Sequence, residues 1–494
     1  MIYLEKIFII VNDKKEKMTT NNKIADNQYN KMVNTPVSKL IITLAIPTVI
    51  SMLITSIYNM ADTYFVSKLG KEASSAVGIV LPIMSIIQAF GFTLGMGSGS
   101  LLSIRLGQKR NKEASIISST AFFTAIAIGL LITIFGNLFS TKLLGYLGAI
   151  PEILPYAEDY AKYIFWGAPF MCASFVLNND LRSEGKAFFS MIALTTGGIL
   201  NVFIDPIFIF KEIKIFNLFS IKGLGFGISG AAIATVITQM ISFMLLFSFY
   251  LRKKSICVIS IKNFSKDLSV IGKVVVTGLP SMARQGLASI ATIILNKTAV
   301  DYGVAAVASM TITTKIVMFI ASIMIGIGQG FSPVSGYNYG AKRYDRVKKA
   351  YFFLIQSGFA IMAFLSVICF VFAPEIIKWF LDDSSVIEIG TKTLRWQIAF
   401  VPLHPLIVGT NMLMQSTRNI KQATFLSMNR QGIYFIPAIL ILPRCFGLFG
   451  VEISQAVADI LSALTAIPYI IWFFSKIKKL ESVSELDTGT TNKN

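Results

Sequence analysis

Long apolar runs separated by short polar segments dominate the pattern of this chain. About twelve such runs lie between Leu40 and Phe474, and a run of 18 or more apolar residues can cross the ~30 Å hydrocarbon layer as a helix. The runs are continuous, whereas the strands of outer-membrane barrels alternate polar and apolar residues. The pattern therefore predicts an all-α polytopic membrane protein of about twelve transmembrane helices.

The predicted spans form two groups of six. The first group is Leu40–Val66, Val77–Leu102, Ala114–Leu138, Ala161–Leu181, Phe188–Phe210 and Gly227–Leu251. The second group is Val270–Leu295, Ala305–Val334, Ala350–Phe372, Thr393–Leu413, Ala423–Leu442 and Val451–Phe474.

The distribution of charged residues predicts how the protein is oriented in the membrane. Of the 494 residues 54% are hydrophobic and only 14% charged, with a net charge of +19. The charge does not indicate a nucleic-acid partner, because Lys and Arg concentrate in the loops after even-numbered spans. This bias predicts a multi-pass protein of the bacterial cytoplasmic membrane, embedded in the lipid bilayer with both termini in the cytoplasm.

The two groups of spans are copies of each other. A shift of 233 residues places Pro47 on Pro280, Gly97 on Gly330 and Gly107 on Gly340. Six is an even number, so both copies enter the membrane from the same side as parallel repeats. Two such six-helix lobes around a central cavity suit transport by alternating access.

The repeat also sets the predicted domain boundaries. Residues 1–37 are rich in Asn, Lys and Thr, which predicts a disordered cytoplasmic N-terminal tail. The remaining units are an N-terminal lobe (38–251), a cytoplasmic linker (252–267), a C-terminal lobe (268–476) and a cytoplasmic C-terminal tail (477–494).

Two acids within the first lobe are candidates for chemistry, because a charge at the bilayer centre costs about 2.5–3.5 kcal/mol or more. Asp62 lies about 33 Å along the first span and Asp205 about 26 Å along the fifth, so both fall in the outer half of the lobe. Asn201 shares a helix face with Asp205, and Pro206 removes the N–H that would pair with the carbonyl of Val202.

Together with Thr235 of the sixth span, these groups form an oxygen-rich cluster that could hold Na⁺ or a proton. An alternative interpretation is that Asp62 faces water while Asn201 and Asp205 cap a kink at Pro206. The second half lacks the cluster, and the four scattered Cys predict neither a disulfide framework nor a zinc site. No cofactor is expected beyond the coupling ion.

Five residues are candidates for lining a substrate cavity: Tyr58, Gln88, Met282, Arg284 and Gln329. Arg284 could instead snorkel to the membrane interface, and Gln329 could form packing hydrogen bonds between helices. Gly residues at GxxxG-like spacing in spans two and eight indicate close helix packing.

The single His, His404, lies between Pro402 and Pro405. A lone His in such a place is either a structural residue or a group that titrates near neutral pH.

Several motifs carry a family resemblance. They are Pro47, Tyr58-Asn59 to Asp62-Thr63, Leu69-Gly70, Arg182-Ser183-Glu184-Gly185, Asn201 to Pro206, Gly328-Gln329-Gly330, Asn338-Tyr339-Gly340-Ala341 and Gln415 to Asn419. Together they resemble the multidrug and toxic-compound extrusion (MATE) family over about residues 36–476, and within it the MepA-like branch with a cation site in the N-terminal lobe.

The resemblance implies antiport of cationic or amphipathic drugs and toxic compounds against H⁺ or Na⁺. It implies cation coupling at Asp62, Asn201, Asp205 and Thr235, with Asn59 beside them. We expect a monomer that acts on small organic cations.

Other functions fit less well. A lipid-linked saccharide flippase of the same superfamily would be expected to have a cationic central cavity, and Arg284 is the only clear basic candidate inside a span. An integral-membrane enzyme would require a His/acid metal cluster or a Ser/His pair. An ATP-driven pump would require a P-loop motif. A duplicated bundle with its acids in one lobe favours a carrier over a channel.

Overall fold

Helices make up nearly all of the protein in the computed structural model, which describes residues 23–215 and 219–490. In the first half, six long helices match the six predicted spans, and β1 pairs with β2 as an antiparallel hairpin. The elements are α1 (residues 23–34), α2 (Val37–Ser67), α3 (Lys71–Gly107), α4 (Asn111–Leu138), α5 (Ser140–Tyr146), α6 (Leu154–Ser183), α7 (Ala187–Ile209), β1 (Glu212–Ile215), β2 (Phe219–Lys222) and α8 (Gly227–Leu251).

The second half follows a short 3₁₀ turn at Ile261–Asn263 and repeats the same order of elements. They are α9 (Leu268–Val300), α10 (Val304–Gly340), α11 (Tyr344–Val371), α12 (Ala373–Phe380), α13 (Ser384–Phe400), α14 (His404–Ser416), α15 (Ile420–Met428), α16 (Phe435–Phe446) and α17 (Leu448–Thr490).

Ten helical segments of the described chain are long and apolar enough to cross a membrane. Helices α6 and α9 complete the twelve predicted spans at 30 and 33 residues. They are more polar, because α6 has two acids and a Lys near its beginning and α9 carries three basic residues. The all-α, twelve-span prediction is confirmed.

The two lobes correspond helix by helix, as the 233-residue shift predicts. Helices α3 and α10 both have 37 residues, and α4 and α11 both have 28. A short helix, α5 or α12, follows at the same place in each lobe. Two copies of one six-helix unit therefore build the bundle.

The lobes differ in how continuous their helices are. The predicted single spans ten and eleven are each interrupted, by a 3₁₀ turn at Val401–Leu403 and by a π-helix at Asn429–Tyr434. Pro402 and Pro405 cause the first break, because neither ring supplies an N–H to the helix. A π-bulge is rare and often marks a functional position.

Helices ending on one side of the bundle share a C-terminal turn. The second residue after the helix end has a positive φ: Lys109 and Lys342 at 58°, Arg418 at 62° and Gly185 at 79°. A 6→1 backbone hydrogen bond closes each turn, for example from Arg110 N to Arg105 O at 2.9 Å, which is the Schellman arrangement. We call this side the basic end, because its loops hold most of the Lys and Arg.

Near the basic end the two lobes meet through main-chain atoms. A Cβ added to Gly107 would overlap the carbonyl oxygen of Tyr337, and one added to Gly340 would overlap that of Ile104. The 233-residue shift relates these two contacts to each other. Gly278 of α9 packs in the same way on the carbonyl of Thr93. Of the glycines predicted to pack closely, Gly330 of span eight lies against the backbone of Ala45 in the first lobe.

Residues 23–34 form a helix, so the predicted disordered tail is wrong for this part; residues 1–22 lie outside the described chain. Met32 is fully buried, and its carbonyl accepts a hydrogen bond from Asn338 Nδ2 of the second lobe at 3.2 Å. Gln28 Nε2 donates to the carbonyl of Gly185 in the first lobe. Packing at the basic end therefore overrides the polar composition, and α1 crosses the seam between the lobes.

The linker between the lobes is held by one buried acid at the end of α6. The carboxylate of Glu184 accepts the backbone N–H groups of Ile256 and Cys257 at 2.8 and 3.0 Å, and the hydroxyl of Ser255 at 2.5 Å. Lys186 lies 3.5 Å from the same carboxylate. These contacts explain the Glu of the Arg182-Ser183-Glu184-Gly185 motif as an anchor for the linker.

Candidate functional site in the first lobe

A cavity of about 840 Å³, part of it open to solvent, lies among helices α2, α3, α6, α7 and α8. Its wall is mixed, with amides, hydroxyls and aromatic rings side by side. Among the residues that line it are five of those predicted from sequence: Tyr58, Asn59, Gln88, Asn201 and Thr235. The structure therefore brings two substrate candidates together with three coupling candidates.

Asn201 and Asp205 form the best-defined pair of this site. They lie one turn apart on α7, both buried, and Asn201 Nδ2 donates to Asp205 Oδ1 at 2.9 Å. The other oxygen of each side chain, Asn201 Oδ1 and Asp205 Oδ2, is buried without a hydrogen-bond partner among the described residues. Leaving a buried polar atom unpaired costs about 1–3 kcal/mol, so this arrangement is incomplete as it stands.

Asp62 approaches the pair from α2. Its side chain is only partly exposed, and its Oδ1 is a third buried oxygen without a partner among the described residues. Helix α2, which carries Asp62, packs directly against α7, which carries Asp205. On their helices the two acids follow Asn59 and Asn201 by one turn, so they lie just beyond the cavity wall.

Thr235 comes to the same cavity from α8 and is 6% exposed. The site is thus assembled from α2 and from the consecutive helices α7 and α8, which pack together in the lobe.

The arrangement can hold a small hard cation or a proton. Three unpartnered oxygens, two of them on carboxylates, favour a bound positive charge. Oxygen ligands are those that hard cations prefer. No group of three or more His, Cys, Asp or Glu that could hold a metal ion occurs within residues 23–215 and 219–490.

The interpretation that Asn201 and Asp205 merely cap a kink at Pro206 fits the geometry poorly, whereas Asp62 is partly exposed, as its water-facing interpretation allows. Asp205 has no exposed surface, and its recorded hydrogen-bond partner is the side chain of Asn201 rather than a backbone group. Helix α7 continues through Pro206 to Ile209.

The three other cavity candidates lie elsewhere. Gln329 is buried at the seam between the lobes, where Arg182 donates a hydrogen bond to its side-chain oxygen. Met282 and Arg284 lie on α9 of the second lobe, outside the lining of the first-lobe cavity. Residue spacing along the chain does not distinguish polar residues that face the first-lobe cavity from polar residues that face the seam between the lobes.

A second buried polar network was not predicted from the sequence. Asp459 of α17, which is 1% exposed, accepts hydrogen bonds from Arg430 Nε at 2.7 Å and Gln455 Nε2 at 2.9 Å. His404 Nε2 lies 3.1 Å from the other carboxylate oxygen of Asp459. Asp459 lies inside the predicted span Val451–Phe474, so listing every acid within the predicted spans would have identified it. The structural interpretation of His404 fits this buried network.

Three comparisons place the chain among known proteins. A family model described as MatE matches residues 47–207 and again 280–440, and these two stretches begin at the positions related by the 233-residue shift. Both halves of the chain thus match the same unit.

Curated relatives include the multidrug export protein MepA of Staphylococcus aureus (strain N315), 27% identical over 434 residues, which are 88% of this chain and 93% of that protein. MepA of Staphylococcus saprophyticus is 27% identical over 412 residues, 83% of this chain and 88% of the relative.

Solved structures agree. A MATE protein in complex with MaL6 has a TM-score of 0.85 at 27% identity, covering 91% of this chain and 99% of its own. The outward-facing conformation of a multidrug resistance MATE family transporter of the MOP superfamily has a TM-score of 0.84 at 27% identity, covering 91% and 98%.

Proposed function

Because the chain belongs to the MatE family of membrane transporters, we propose that it exports cationic or amphipathic drugs across the cytoplasmic membrane in exchange for H⁺ or Na⁺. It is a multidrug-efflux type of carrier and not an enzyme, as its relatives are multidrug export proteins. The observation that carries the exchange mechanism is the group of three buried, unpartnered oxygens on Asp62, Asn201 and Asp205.

Charge supports the orientation of the carrier. Under the positive-inside rule the basic end faces the cytoplasm, with both termini on that side. The lobes pack on each other near this end through Gly107, Gly278 and Gly340, which corresponds to a carrier closed to the cytoplasm. The similarity to an outward-facing transporter agrees with this state.

Coupling follows from the energetics of the buried acids. Two carboxylates near each other in a low-dielectric lobe are costly without a positive charge. A captured H⁺ or Na⁺ removes that cost and supplies the missing partners of the oxygens. Asn59, Asn201 and Thr235 line the drug cavity beside the acids, so occupancy of one site alters the other.

The cavity lining supports the substrate class. Aromatic rings of Tyr58, Phe92 and Phe175 lie beside the amides of Gln88 and Gln239, and none of the lining residues is basic. Apolar surface with a few polar groups is typical of small-molecule sites, and aromatic rings attract organic cations. This wall offers no positive charge to a pyrophosphate-bearing lipid, so it disfavours the alternative function of a lipid-linked saccharide flippase. Since one chain supplies both lobes, we propose that it works as a monomer.

Vesicles containing the purified protein test this proposal. A Na⁺ gradient and a pH gradient are imposed separately, and ethidium movement is followed by fluorescence against protein-free vesicles. We expect one gradient to drive ethidium against its own concentration difference. If neither gradient does so while ethidium still binds the protein, the exchange mechanism is wrong.

A further inference from the structure

A small polar pocket lies at the seam between the two lobes, near the basic end and apart from the drug cavity. Its wall is built from α3, α6 and α10 and includes Ser100, Asn179, Arg182, Ser183, Gln329 and Ser332. The first two helices belong to the first lobe and the third to the second lobe. Anything bound there touches both halves of the carrier.

Arg182 is a buried cation without an acidic partner in this pocket. The residue is 4% exposed, and its guanidinium donates to Asn179 Oδ1 and Gln329 Oε1, both neutral. No ion pair joins it to an acid within the described chain. A buried ion without a counter-charge costs several kcal/mol, so its neutralisation has to come from elsewhere.

The acids nearest in sequence are already engaged. Asp180 accepts the hydroxyls of Ser98 and Ser118 at 2.6 and 2.5 Å. Glu184 holds the linker and Lys186. Neither carboxylate forms an ion pair with Arg182 in the described chain.

The remaining free groups in the pocket are hydrogen-bond donors. The hydroxyl of Ser100 is buried, 4% exposed as a residue, and has no partner among the described residues. By contrast, the hydroxyls of Thr93 and Ser103 on the same helix donate to carbonyls one turn back. The amide nitrogen of Gln329 also donates to no group in the described chain. Donors converging around a guanidinium recognise an anion.

We propose that this pocket binds one small inorganic anion, chloride in the cell, which joins the lobes in the state closed at the basic end. The space suits a single ion rather than an organic molecule. A water molecule would satisfy the donors but leave the charge of Arg182 uncompensated. Since the wall comes from both lobes, the anion leaves when they separate, and its binding favours closure.

The test compares thermal unfolding of the purified full-length protein in sodium chloride and in sodium gluconate at equal ionic strength. Chloride is expected to raise the melting temperature in a saturable way, with bromide acting similarly. Ser100→Ala should weaken the apparent chloride affinity about tenfold, the loss of one hydrogen bond to a charged group. This variant should fold, since the Ser100 hydroxyl has no protein partner to lose.

Matched charge changes separate the pocket from a general salt effect. Arg182→Gln should abolish the chloride response. Arg105→Gln removes one positive charge from the basic end, from a residue paired with Glu113 at 3.1 Å, and should keep the full response. Crystals soaked in bromide should show an anomalous peak beside Arg182.

Three results would overturn the proposal: equal melting in chloride and gluconate, an unchanged chloride affinity in Ser100→Ala, or a pocket holding a water only. These readouts do not depend on drug transport or on the coupling ion, so they fail or succeed separately from the proposed function.

Discussion

The amide of Asn201 donates to the carboxylate of Asp205 one turn further along α7, at 2.9 Å, and the second oxygen of each side chain remains unpartnered. We therefore expect the charge of Asp205 to contribute more than that of any other residue to coupling transport to the ion gradient. Asp205→Asn should reduce gradient-driven ethidium efflux about tenfold or more while ethidium binding persists, because a neutral amide takes up no proton and adds no negative charge to hold Na⁺.

The matched control for that variant is Asp301→Asn, which makes the same change at an exposed acid after α9. It should transport at the wild-type rate. Undiminished gradient-driven efflux in Asp205→Asn would show that this carboxylate does not couple transport.

The seam between the lobes predicts a second effect. Gly278→Ala would push a methyl group into the carbonyl of Thr93, and overpacking of this kind costs about 1–3 kcal/mol. We expect loss of closure at the basic end, seen as faster labelling of a cysteine introduced there, together with slower efflux. Gly272→Ala on the same helix meets nothing within 4 Å and should behave like the wild type; equal labelling in both variants would contradict the closure.

The buried network of the second lobe predicts a loss of stability. Asp459→Asn leaves Arg430 and His404 without their carboxylate, and breaking a buried ion pair costs about 3–5 kcal/mol. The melting temperature of the purified protein should fall by several degrees. Asp382→Asn, at an exposed acid 3.9 Å from Lys378, should leave it unchanged, since exposed pairs contribute little. A melting temperature equal to wild type in Asp459→Asn would show that the network is not structural.

Helix α1 predicts a further stability effect. Met32→Ala removes a fully buried side chain between the lobes, and such truncations cost about 2–5 kcal/mol. Asn30→Ala on the exposed side of the same helix serves as the control. If both variants melt alike, α1 does not contribute to holding the basic end together.

Much of the fold was predictable, because hydrophobic run length and the 233-residue repeat report on membrane spans directly. The breaks in spans ten and eleven were less predictable. Pro402 and Pro405 signal the 3₁₀ turn, but the π-helix at Asn429–Tyr434 coincides with the reach of Arg430 to Asp459, a contact between separate spans. Helix α1 was missed because its burial depends on both lobes being in place.

The candidate site also combines features that follow from local sequence with features that depend on packing between helices. The pairing of Asn201 with Asp205 follows from their spacing on one helix. The separation of Gln329 from the drug cavity does not, because only the packing of α6 against α10 brings Arg182 to it. Spacing fixes neighbours within a helix, while neighbours between helices require the assembled lobes.

At the seam, Gly107, Gly278 and Gly340 present bare backbone to carbonyl oxygens of the opposite lobe. Backbone surfaces of this kind do not interdigitate, so they can separate without any side chain changing its rotamer. At these three contacts the lobes can part without repacking side chains, so the resistance to parting comes from the Arg182–Gln329 hydrogen bond and from Met32 packed between the lobes.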